Sequence, residues 1–176
     1  DTTLGWFAFA FRIGTAPLGF LSQALAKSFW AEAADLAKRD PVQLRIFFIK
    51  TTRVLATVAA PFALICLASP LYFGLIFGEE WGGAGGIMAA LTPMLVALLV
   101  FSSTNHLIVY RRQHWQLWSD ALSVLLFGGV FMAMAQAGES VTLTLAVSSV
   151  AFLVSYGVRF WLHLRANRLW AEERPR

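Results

Sequence analysis

The stretch IMAALTPMLVALLVFSSTNHLIVY, Ile87 to Tyr110, runs 24 residues without an aspartate, glutamate, lysine or arginine. A helix needs about 20 predominantly apolar residues to cross a bilayer, so this segment reads as a membrane span. Working outward from it, the same pattern recurs four times. Apolar runs at residues 4–30, 41–77, 115–137 and 141–164 complete a set of five helices, joined by short polar or glycine-rich connections. Asp40-Pro41 supplies a side-chain cap and a first-turn proline at the start of the second. Its first turns carry Gln43, Arg45, Lys50 and Arg53 among apolar residues, which suits a segment lying at the headgroups before the chain enters the bilayer. The glycine-rich segment from Gly78 to Gly86 reads as a turn, and Gly138-Glu139-Ser140 as another. Residues 31–40 form a polar stretch and residues 165–176 a basic tail.

Composition agrees. Of the 176 residues 58% are hydrophobic and only 14% charged, against roughly 25% charged in an average soluble domain. That excludes most soluble enzyme classes. The fold class expected is all-α and polytopic. The single cysteine, Cys66, cannot form an internal disulfide. The excess of basic residues does not point to nucleic acid, because they flank apolar runs instead of forming one dense patch.

They point to orientation. Six cations lie between Lys27 and Arg53, two at Arg111 and Arg112, and five from Arg159 to Arg176, so that 13 of 14 fall on one face of a five-span scheme. The opposite loops carry Glu79, Glu80 and Glu139. Cytoplasmic loops accumulate lysine and arginine, which sets the C-terminus inside and the N-terminal end outside. An external first residue without a signal-peptide pattern leads to the expectation of an odd number of spans upstream.

Catalytic signatures are missing: there is no phosphate-binding glycine loop, CxxC, HExxH or GxSxG, and His106, His114 and His163 are too scattered to hold a metal. The expectation is a protein that is not an enzyme and carries no cofactor. His114 and His163 are expected at the membrane interface, Asp120 in an ion pair with Arg111 or Arg112 in preference to a proton-relay role, and Arg159 reaching to the interface from the end of the last helix. Pro17, Pro61 and Pro93 are expected to kink their helices, and Asn105 and His106 belong to a polar run that either lines a cavity or anchors the cytoplasmic end of the third helix.

Arg12 stands apart. It lies roughly 12 Å into the first helix, where facing lipid would cost about 2.5 to 3.5 kcal/mol. Gly5, Arg12, Thr15, Gly19, Ser22 and Ala26 form one small or polar stripe at helical spacing, with Phe7, Phe11, Leu18, Leu21 and Leu25 on a bulkier one. Two roles remain open: a cation facing substrate, or a structural residue tied to the carbonyl freed by Pro17 or to an acid elsewhere.

The stretch Leu4 to Pro41, the segment LIFGEEWGGAG from Leu75 to Gly85, and Arg111-Arg112-Gln113 leading to Trp118-Ser119-Asp120 resemble the multidrug/oligosaccharidyl-lipid/polysaccharide flippase superfamily, most of all its polysaccharide and lipopolysaccharide exporters. The resemblance implies a twelve-helix, two-lobe transporter of the bacterial inner membrane. Residues 1–164 would form most of its C-terminal lobe and would work against an N-terminal lobe not contained in these residues. It implies a cargo, a polyprenyl-pyrophosphate-linked oligosaccharide, and no partner beyond that cargo, membrane lipids and the other lobe. An arginine followed five residues later by proline faces the central cavity in such flippases, which Arg12 and Pro17 match, and Thr15 on the same stripe joins Arg12 as a candidate for substrate contact. The rivals are a cation-coupled drug exporter of the same fold, a non-transporting assembly component, and an intramembrane glycosyl-transferring enzyme. The last is disfavoured by outer loops too short to hold acids, bases or metal ligands.

Overall fold

The computed structural model describes residues 2–101 and 113–172. They form six helices, α1 (Thr2–Arg39), α2 (Pro41–Leu67), α3 (Ser69–Phe77), α4 (Gly82–Phe101), α5 (Gln113–Gln136) and α6 (Val141–Glu172), with a short 3-10 turn at Glu79–Trp81 and no strand among the described residues. Among the described residues four segments are long and apolar enough to cross a membrane: Val42–Leu67, Glu79–Phe101, His114–Gln136 and Val141–Leu169. The protein is an all-α polytopic membrane protein.

Several boundaries differ from the sequence expectation. Residues 31–39 are not a polar connection but the last turns of α1, where Ala33 and Ala37 are buried. Helix α1 stops where Asp40 turns extended and accepts hydrogen bonds from the Val42 and Gln43 amides at 2.9 and 3.1 Å, with Pro41 in the first turn of α2. The second run is not one helix. It breaks at Ala68, just before Pro70, whereas Pro17, Pro61 and Pro93 all sit inside helices that run on through them. Residues 165–172 are not tail but the last turns of α6.

Helix α4 is the hub. It packs against α1, α2, α3 and α6, and its Ile87, Leu91, Leu95 and Leu99 are fully buried. A helix that is apolar all round belongs in the middle of a bundle, and α4 has no ionisable residue to place elsewhere. Its glycines, expected to form a turn, begin this helix instead. Gly83 lies under the indole of Trp6, whose Nε1 donates to the Glu80 carbonyl at 2.7 Å, and Gly85 lies against the Ser69 carbonyl. Only Gly78, at φ 102°, keeps the left-handed backbone that a turn demands on this side of the protein. Phe9 caps the same end, in ring contact with Phe73, Phe77 and Trp81.

A second, smaller core ties the other end. Phe29, Ala33 and Ala37 of α1, Leu44 and Phe48 of α2 and Ala166 of α6 are buried together. The start of α2 is therefore packed against both α1 and α6.

Candidate functional site

Helix α1 packs on α4 through Ala10, Gly14 and Leu18, all buried, and a β-carbon on Gly14 would sit 2.7 Å from a Leu95 methyl. At 100° per residue, Arg12 points about 160° away from the centre of that face. It is exposed, and it makes no hydrogen bond or ion pair among the described residues. The tie to a carbonyl freed by Pro17 is thus not formed. Around Arg12 runs a shallow groove of about 260 Å³ lined by Thr15, Ala16, Gly19, Phe20 and Gln23. The small residues let a ligand approach the helix, and among the described residues the guanidinium is the one positive group lining it. Thr15 adds less than expected: its hydroxyl donates to the Phe11 carbonyl at 2.7 Å, so as placed it has no proton to offer an anion.

The second polar constellation lies between α5 and α6. Arg159 is only 5% exposed, and its Nη2 donates to Asp120 Oδ1, whose side chain is 49% exposed. The guanidinium also rests over the Tyr156 ring, 4.5 Å from its centre. One turn toward the other end, Ser155 Oγ lies 2.9 Å from Ser123 Oγ across the helix pair, and Ser123 donates to the Ser119 carbonyl at 2.8 Å. On the far side of Arg159, His163 is buried with Nδ1 2.8 Å from the Arg159 carbonyl and its ring stacked on Phe48. Arg159 Nε, Ser148 Oγ and Ser149 Oγ are buried without a hydrogen-bond partner.

No family model, curated protein or solved structure matches this chain.

The two constellations stand differently to the sequence expectations. Arg12 and Thr15 do share a groove. Asp120 pairs with Arg159, which is enclosed between α5 and α6, while Arg111 and Arg112 lie outside the described residues. The side chain is held between the helices, its guanidinium on Asp120 and over the Tyr156 ring. His163 is buried against Phe48, while His114 is exposed. Asn105 and His106 lie outside the described residues. Among those described, no group of three histidine, cysteine or acidic side chains is placed to hold a metal ion. A signal for the α5–α6 seam was present in the sequence, since Ser148, Ser155, Arg159 and His163 recur at intervals of seven, four and four.

Proposed function

We propose that this protein is a membrane flippase that moves a lipid-linked oligosaccharide across the bacterial inner membrane, with Arg12 as a cation for the pyrophosphate headgroup. The observation that carries this reading is the exposed, unpartnered Arg12 on the face of α1 turned away from the bundle, within a groove of small residues. A guanidinium turned to lipid would cost about 2.5 to 3.5 kcal/mol, so that face of α1 calls for water or an anion. The planar fork of arginine suits phosphate oxygens two at a time. In the two-lobe arrangement that the resemblance implies, the same face of α1 would border the central cavity and the lobes would rock around it.

The test is binding. Purified full-length protein should hold the pyrophosphate-linked oligosaccharide about 10- to 100-fold more weakly after Arg12→Ala, and Arg12→Lys should recover part of the loss. Exposed Arg12 carries no packing, so the thermal midpoint of Arg12→Ala should stay at the wild-type value. A folded Arg12→Ala that binds substrate as wild type does would refute the role.

Orientation has its own test, with α1 taken as a fifth span. In a Cys66→Ala background in intact cells, an impermeant thiol reagent should label Glu80→Cys and Glu139→Cys and leave Arg112→Cys unlabelled. The opposite pattern inverts the scheme.

A second reading has one observation in its favour. A cation-coupled exporter needs an acid within a span, and Asp120 is a half-exposed carboxylate in α5. Failure of the Arg12 experiment together with transport that depends on Asp120 would favour it.

A further inference from the structure

Thr144, Ser148, Ser155, Arg159 and His163 of α6 are all buried. At 100° and 1.5 Å per residue they fall within about 100° of one another and extend about 28 Å along the helix, close to the roughly 30 Å of a bilayer's hydrocarbon core. Opposite them α5 sets Ser119, Asp120 and Ser123. Packing alone does not ask for such a seam, because apolar residues would fill it without desolvating a charge.

The central pair is asymmetric in a way that bears on its use. The cation is enclosed and the carboxylate is half-exposed, so the anion is the member of the pair that the neighbouring helices leave uncovered. A metal cation is a poor visitor: the guanidinium already occupies Oδ1 and repels a second positive charge, and the Ser119, Ser123 and Ser155 hydroxyls are engaged with carbonyls or with each other. A proton needs no coordination shell. Among the described residues the surroundings hold few competitors for it. Helix α6 presents Arg159, Tyr156 and, one turn further, His163; α4, packed on α6, carries no ionisable residue; and α2, also packed on α6, presents Phe48 to His163.

We propose that Asp120 is a proton-binding site at which a proton and the Arg159 guanidinium compete for one carboxylate, so that protonation unlatches α5 from α6. The proton comes from water on the exposed side of Asp120 and ends on its carboxylate. What remains is a neutral acid, whose carbonyl oxygen can still accept from the guanidinium but which no longer attracts it as an anion, so the hold is weaker than in the ion pair. Arg159 keeps the Tyr156 face as a second resting place, and its uncompensated charge draws the seam toward water. Helix α5 is suited to move, since among the described helices α6 is the only one it packs against extensively. The latch does not depend on the cargo and stands apart from the flippase reading.

The experiment places spin labels on Leu125 of α5 and Val154 of α6, both exposed, in the Cys66→Ala protein reconstituted in liposomes. The distance between labels is measured at neutral and acidic pH. The wild-type pair should shift to a second distance on acidification, Asp120→Asn should show that second distance at both pH values, and Asp120→Glu should restore the pH response. A wild-type distance that does not change with pH overturns the proposal, as does an Asp120→Asn protein that still follows pH. Should Asp120→Asn not fold, the wild-type and Asp120→Glu measurements decide alone, since both must respond. Substrate is absent throughout, so the outcome is independent of the Arg12 binding test.

Discussion

Gly85→Val should lower the thermal midpoint of the detergent-purified protein by about 6 to 12 °C, the equivalent of about 3 kcal/mol in a chain of this length. A β-carbon on Gly85 would stand 2.7 Å from the Ser69 carbonyl oxygen and 3.0 Å from Pro70 Cα. Those are backbone atoms of α3 and cannot step aside as the end of a side chain can. Relief requires α3 and α4 to separate, and the separation also breaks the bond in which Ser69 Oγ, 2.8 Å from the Gly85 carbonyl, joins the two helices. Small residues serve this purpose throughout membrane proteins, where close backbone approach replaces the hydrophobic effect as the source of helix association. The control is one residue away. A β-carbon on Gly86 would meet nothing within 4 Å, so Gly86→Ala should raise stability by about 0.5 to 1 kcal/mol through helix propensity alone. Equal effects at the two positions would show that the glycines of this segment act as a flexible turn and not as a packing surface.

That contrast explains where the sequence misleads. Glycine-rich composition signals a turn when only local structure is considered, and Gly78 does make one. Gly83 and Gly85 are spent on tertiary contacts, with Trp6 and Ser69, that no local pattern displays. The end of α1 fails for the opposite reason. Residues 31–39 look polar, yet alanine, leucine, glutamate, lysine and arginine are strong helix formers, and the chain has no cause to stop before Asp40 and Pro41. What the sequence does display is charge-free length. The runs that became α2, α4, α5 and α6 were legible because a bilayer demands so many apolar residues in a row.

The two arginines divide along the same line. Arg12 was legible because its stripe of small residues follows a 3.6-residue period on one helix, and the groove beside it is lined by members of that stripe. For Arg159 the recurring spacing along α6 was there to read, but its partner was not, being a carboxylate 39 residues away in sequence on another helix.

The Asp120–Arg159 pair should break unequally. Asp120→Ala removes the more exposed partner, and the intuition that exposed residues matter less predicts a small effect. The physical argument gives the reverse. With Asp120 gone, Arg159 is left almost fully enclosed, with Nε already lacking an acceptor and only the Tyr156 ring beside it, and an uncompensated buried charge costs about 3 to 5 kcal/mol. Arg159→Met removes that charge, keeps much of the side-chain volume, and leaves a carboxylate whose exposed half can reach water or take a proton. Its cost should be small, within about 1.5 kcal/mol of wild type. The double variant Asp120→Ala/Arg159→Met should therefore be more stable than Asp120→Ala alone, a second substitution rescuing the first without restoring any contact. Thermal midpoints of the three purified variants measure this directly. If Arg159→Met proves the more damaging single change, the guanidinium is held mainly by packing and by Tyr156, and the carboxylate is incidental to the seam.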